Sequence, residues 1–387
     1  MASEIKPDFH LPTEIYIRQG LINDIGDILP GYCTRPVLVV TSPDLELFQA
    51  HVEQISNNLK KSGIGCIIYD DLPASPNSEE IDTAVSFIKK TNCDLILGFG
   101  GTNSVNAAKA VSLLVNNFIF CNDLFSKTDK INPPLPFISV PAYPLSGFEI
   151  APLFYLLEIH GLTYRVYHNN LLYPKSILVD PELSLKIDDS RMIKTALSTL
   201  AIAIESVISK KNNDIVNTYA LKSIDMIFRN LPLAFRESEN IMPRKFLSTA
   251  AVMSGIAFST SYLSISMAIS LALSSRCEID VESAMSVVLS HIMEFNLTTS
   301  PAKYVQMSKV MGEDVKEITV IEAAIKSIEA IRKLETEVDV PQRLIGYDIP
   351  KTILKEIAEL SISYPFIENA PREMNKSEIE TILISAY

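Results

Sequence analysis

The sequence predicts two domains, an α/β N-terminal domain built on a parallel sheet (residues 1–180) and an all-α C-terminal domain (181–387). Three observations carry this. Short β-branched runs alternate with helical stretches through the first half, strand signals stop after Val179-Asp180-Pro181, and 387 residues with 47% hydrophobic content exceed what one core usually organises.

The first half supplies strand candidates at 15–17, 37–40, 66–69, 94–99 and 137–140, each short, apolar and bounded by polar or turn residues. Between them, 45–62 and 78–91 place apolar residues at helical spacing, as in Ile81, Val85, Phe87 and Ile88. Strand, helix, strand repetition implies parallel pairing with helices on both faces of the sheet. Runs at 153–157 and 164–167, separated by a turn containing Gly161, read as a hairpin, and 176–179 adds a further strand.

From Asp188, Asp189 and Ser190, all suitable N-caps, the pattern turns helical. Helices are expected at 192–209, 219–228, 244–258, 263–275, 282–295, 315–333, 351–360 and 376–386. Pro341 and Pro350 punctuate the later part, and no internal repeat is visible.

Composition excludes several function classes. A net charge of −12 opposes a phosphate-binding surface, so nucleic acid is not expected as a partner. Cys33, Cys66, Cys93, Cys121 and Cys277 are odd in number and form no CxxC pair, which fits a reducing cytoplasm. The opening MASEIKPDFH lacks the basic start and apolar run of an export signal. Residues 246–275 carry no charge and match a membrane span in length, but nine serines, two threonines and Gly255 interrupt them. The expectation there is a buried helix pair, broken near 259–264, rather than a membrane span.

Residues 95–109 read as a strand, a glycine turn and a helix start in succession. Glycines at Gly100 and Gly101 let the backbone approach a pyrophosphate, and the free amides and dipole of the following helix favour its charge, as in Rossmann-like folds. A plain strand-to-helix turn, capped by Asn103 or Ser104, would look the same.

Several runs occur in an order shared with one family. Residues 9–13 are similar to its opening strand, 100–109 to its GGGSxxDxAK loop, 141–149 to its PTTxGTGSE segment and 178–183 to its interdomain DPxL. Asn230-Leu231-Pro232, residues 255–259 and Met293-Glu294-Phe295-Asn296 are similar to its NLP, GxAFS and MEFN signatures. The chain thus resembles the iron-containing (group III) alcohol dehydrogenases of the dehydroquinate-synthase-like superfamily. That resemblance implies a dimer with a dinucleotide-binding first domain and a metal site in the second.

The family's metal ligands map onto residues of other chemistry. Its Asp and His at i and i+4 in a DAxxHAIE run fall on Ser198 and Ile202, counting back from Ala203-Ile204-Glu205. Its two histidines fourteen residues apart fall on Met267 and Val281, and the second histidine of HxxxH falls on Leu271. None is a strong ligand for a borderline divalent cation, so neither iron nor zinc is expected. Cys277, Glu278, Asp280 and Glu282 surround Val281 as possible substitutes, though exposed acids at a helix start explain them more simply. The resemblance carries NAD or NADP contacts onto Gly100, Gly101, Thr102, Asn103, Ser146 and Gly147. Ser42 stands where an acid would hold the adenosine ribose, and Asn106 replaces the loop's acid. A serine there tolerates the phosphate of NADP, or signals that no dinucleotide binds.

Two main functional readings and a weaker third follow. In one, the chain keeps an oxidoreductase fold without metal-dependent catalysis, as a pseudoenzyme or binding subunit. In the other, it is an active NAD(P)-dependent alcohol or aldehyde oxidoreductase whose chemistry is metal-independent or relocated, with Tyr143 or His291 as conceivable acids. A dinucleotide sensor that never turns over is a third.

Overall fold

The computed structural model of the chain describes residues 7–125, 131–160 and 162–387. The chain divides into two compact units, Pro12–Asp188 and Asp189–Tyr387, the latter joined by the N-terminal stretch up to Leu11.

The first unit holds six parallel strands: β1 (Glu14–Ile17), β2 (Pro36–Val39), β3 (Ile67–Tyr69), β4 (Leu95–Gly100), β5 (Phe137–Pro141) and, after an antiparallel hairpin of β6 (Leu153–Glu158) and β7 (Thr163–His168), β8 (Ser176–Val179). Their order is β1-β8-β5-β4-β2-β3. β2, β4, β5 and β8 are buried along their whole length, as strands covered on both faces must be, and their sequences are correspondingly near-continuous in apolar residues. The helices are α1 (Ile25–Ile28), α2 (Ser42–Lys61), α3 (Ser78–Ile88), α4 (Thr102–Val115) and α5 (Cys121–Leu124). α3 begins with a capping box, the Asn77 side chain accepting from the Glu79 and Glu80 amides while Glu80 accepts from the Asn77 amide. The Gly161 turn lies outside the described residues.

The strand order places one feature that matters for function. From β2 the chain moves outward to β3, then returns to the other side of β2 as β4, with Val39 opposite Gly98. The carboxyl ends of β2 and β4 therefore flank the switch point where open α/β sheets form their ligand crevice. Gly98 also lets α4 approach the sheet, since a Cβ there would lie 2.7 Å from that of Ala108.

The second unit is helical: α6 (Asp189–Ile208), α7 (Asp214–Arg236), α8 (Ile241–Ser261), α9 (Ile265–Ser274), α10 (Val281–Asn296), α11 (Pro301–Val310), α12 (Val320–Glu337), α13 (Leu354–Ile362) and α14 (Lys376–Ala386). No single described helix is long and apolar enough to cross a membrane; α8 and α9 meet at 105°, with Tyr262 in the left-handed region between them.

Four features depart from the sequence expectations. The division falls after Asp188, not at 180, because the short turn Leu183–Lys186 continues from β8 while Asp180 accepts from the Gly20 and Ile22 amides beside it. Asp8 and Phe9 sit with the helices, Phe9 stacking on Tyr219 and Asn213 donating to the Asp8 carbonyl; the opening strand starts at Glu14. α7 runs on through Pro232 because Leu231 and Ala234 are buried in its packing against α8, and α11 was not foreseen.

Candidate functional site

The glycine turn lies where the resemblance places it, at the end of β4. Gly100 has φ +124°, a conformation open to glycine, and a Cβ on it would overlap the Asp44 carboxylate. Asp44 belongs to the first turn of α2, across the switch point, and is 5% exposed. One of its oxygens, Oδ2, accepts from the Gly101 N–H at 2.7 Å, the Ser104 hydroxyl at 2.6 Å and the Thr41 hydroxyl at 3.2 Å. Ser104 Oγ in turn accepts from the Thr41 N–H at 2.9 Å. An anionic oxygen is thus seated at the positive end of the fourteen-residue helix α4. Over the same turn, a Cβ on Gly101 would overlap the Tyr143 hydroxyl.

The other candidate cofactor residues are placed as follows. Thr102 is the buried first residue of α4. Asn103 donates its amide to the Ala74 carbonyl at 2.7 Å and to Ser75 Oγ at 3.3 Å. Ser42 donates its hydroxyl to the Asp70 and Leu72 carbonyls at 3.1 and 2.9 Å. Ser146 and Gly147 both take positive φ, and the Gly147 N–H donates to Glu149 Oε2 at 3.0 Å. Asn106 is fully buried, and among the described residues neither of its amide atoms has a hydrogen-bond partner. Ser42 and Asn103 are thus committed to the protein's own carbonyls, and the space above Gly100 and Gly101 holds Asp44 and Tyr143. These residues do not fit a dinucleotide pyrophosphate as they stand.

Beneath this segment lies a buried lysine. Lys109 Nζ donates to the carbonyls of Phe148, Ala151 and Leu153 at 2.5, 2.6 and 3.0 Å. Burial pushes the Lys109 ammonium down and the Glu149 carboxyl up, while their mutual attraction opposes both shifts. The family-matching lysine therefore anchors main chain rather than facing a ligand.

The five metal-equivalent positions occupy three helices that pack on one another: Ser198 and Ile202 on α6, Met267 and Leu271 on α9, and Val281 at the start of α10. All are buried. Ser198 donates its hydroxyl to the Thr195 carbonyl at 3.0 Å. A hydroxyl, a thioether and three hydrocarbons make no donor set for iron or zinc. Among the described residues, no group of three or more His, Cys, Asp or Glu could hold a metal ion. Asp280 instead caps α10 through the Ser283 N–H at 2.9 Å and pairs with Lys194 at 2.8 Å. His291 lies 3.2 Å from Ser385 Oγ and 3.4 Å from the Gln342 carbonyl, and burial lowers its pKa. It reads as a core histidine linking α10 to α14 and to the stretch after α12.

Glu205, one turn beyond Ile202 on α6, caps the start of α9. Its carboxylate accepts from the N–H and the hydroxyl of Ser266 at 2.7 and 2.5 Å, in the first turn of α9, and burial pushes its pKa up to about 7. Sequence reasoning missed Asp44 and Thr41, and it weighed Ser104 only as a helix cap, whereas the cap position of α4 is Gly101. The available signal was an acid two residues beyond Ser42, at the start of the helix that follows β2.

Residues 12–181 match the iron-containing alcohol dehydrogenase family profile, and residues 192–387 match the C-terminal profile of the Fe-containing alcohol dehydrogenase family. The NAD-dependent methanol dehydrogenase of Bacillus methanolicus is 22% identical over 379 residues, covering 98% of this chain and 99% of that protein. The 1,3-propanediol dehydrogenase of Klebsiella pneumoniae is 23% identical over 384 residues, with 98% of each chain covered. Among solved structures, a 1,3-propanediol oxidoreductase superposes with a TM-score of 0.94 at 23% identity, over 99% of this chain and 100% of that one. The NADH-dependent butanol dehydrogenase A of Thermotoga maritima gives 0.88 at 20% identity, with 98% of each chain covered. With both halves matched and the parallel sheet and helical unit in place, the chain belongs to the iron-containing alcohol dehydrogenase family.

Proposed function

We propose that this family member does not carry out metal-dependent alcohol oxidation and serves as a non-catalytic, binding subunit on an oxidoreductase fold. The observation that carries this reading is the joint replacement of the ligand positions by Ser198, Ile202, Met267, Leu271 and Val281, all buried. In metal-dependent catalysis the ion polarises the substrate oxygen, a contribution of several kcal/mol. At about 1.4 kcal/mol per decade, its loss removes orders of magnitude of rate. Nothing in the replacement set supplies a Lewis acid or a titratable group. The reading includes a homodimer in the cytoplasm, and light scattering on the purified chain tests the dimer.

A second reading, a dinucleotide-dependent oxidoreductase with metal-free chemistry, draws on the retained Gly100-Gly101 turn and on relatives named as NAD-dependent dehydrogenases. One experiment separates the two. The full chain is expressed with iron and zinc supplied, dialysed against chelator, analysed for metal and assayed for oxidation of primary alcohols with NAD and NADP. The first reading expects neither stoichiometric metal nor turnover. Stoichiometric iron or zinc would sink it, and turnover without metal would establish the second.

A further inference from the structure

Three donors at the switch point, the Gly101 N–H and the Ser104 hydroxyl at the start of α4 and the Thr41 hydroxyl just before α2, are the groups an incoming anion would meet. All three converge on one internal oxygen, Asp44 Oδ2, at 2.7, 2.6 and 3.2 Å. The oxygen is anionic, buried and aligned with the helix dipole, the three properties by which such a turn recognises phosphate. A dinucleotide placed here would lose the Gly101 donor and set its phosphate against a like charge. Tyr143 closes the space further, its hydroxyl lying where a Gly101 Cβ would be.

We propose that Asp44 is the built-in occupant of this turn, an intramolecular stand-in for the phosphate, and that it closes the turn to the pyrophosphate of NAD(H) and NADP(H). The chain then retains the glycine turn because the turn binds its own carboxylate. Gly100 and Gly101 are needed for that contact, since a side chain at either would collide with Asp44 or Tyr143. This inference concerns dinucleotide binding alone and stands whichever way the metal analysis comes out.

The test compares the full-length wild type with Asp44→Asn, Asp44→Ala and Asp44→Ala/Tyr143→Ala. NADH binding is followed by nicotinamide fluorescence and calorimetry, and inorganic pyrophosphate binding by calorimetry. The wild type is expected to show no saturable binding of either probe across the millimolar range. The double variant should gain binding of both, at least about tenfold tighter than any wild-type signal, as one freed charge-assisted hydrogen bond allows. Asp44→Asn keeps the shape and removes the charge, so it should gain part of this affinity and keeps the test readable if the alanine variants do not fold. Saturable NADH binding by the wild type that is as tight as in the variants overturns the proposal. So does the failure of every folded variant to bind either probe.

Discussion

The Lys109 ammonium donates to the Ala151 carbonyl at 2.6 Å, and the Phe148 and Leu153 carbonyls complete its shell. A single cation on α4 thus pins the segment that leads from β5 into β6, with Glu149 as its buried counter-charge. Lys109→Met would strand three carbonyls and one carboxylate in the core. It should cost at least about 1–3 kcal/mol in urea denaturation, the cost of leaving a buried acceptor unsatisfied. Adding Glu149→Gln should recover part of the loss; a Lys109→Met variant as stable as wild type would remove this anchoring role.

Steric closure of the glycine turn has its own signature. Gly101→Ala places a methyl group into the Tyr143 hydroxyl and should destabilise by about 1–3 kcal/mol, as overpacking does. In a double-mutant cycle with Tyr143→Ala, the two changes should couple favourably by about 0.5–3 kcal/mol. Simple additivity would show that the two groups do not compete for the same space.

At the metal-equivalent positions, packing and ligation predict opposite mutational costs. Met267→Ala and Ile202→Ala should each cost about 2–5 kcal/mol, because both side chains are buried in close-packed helices. Combining Ser198→Asp, Ile202→His, Met267→His and Val281→His should create zinc affinity, measured by calorimetry on the apo protein. A folded quadruple variant that takes up no metal would show that these are not the ligand positions.

Glu205 sets a pH dependence of stability. Burial raises its folded pKa from 4.5 to about 7, so between those values the folded state holds a proton that the unfolded chain has released. Stability should therefore fall as pH rises through that window, by up to about 1.4 kcal/mol per unit from this group. Above pH 7 its contribution should be flat. Urea midpoints across pH 4.5 to 8 measure this, and Glu205→Gln should flatten the slope in that interval.

Much of this was legible from local pattern. Each strand expected from the apolar runs lies within about a residue of its observed place, and the break between α8 and α9 falls within the expected 259–264. The failures share a cause. α11 carries buried Tyr304, Met307 and Ser308 at helical spacing behind Ser300-Pro301, but the stretch is short and half polar, so tertiary contacts such as the Tyr304 hydroxyl on the Met293 carbonyl decide it. α7 outlasts Pro232 because packing against α8 outweighs the one hydrogen bond a proline forfeits.

By itself the sequence determined the two-part architecture and the location of the glycine turn, because periodicity and turn chemistry are local properties. Tertiary structure alone decided what fills the turn. Asp44 and Gly101 lie 57 positions apart, and their contact exists only because the strand order sets the carboxyl ends of β2 and β4 side by side. An acid just beyond Ser42 is visible in the sequence, but no local pattern says that it meets another strand's helix. The sheet's topology brings the charge to the dipole, and that pairing separates a loop that resembles a cofactor site from one already occupied.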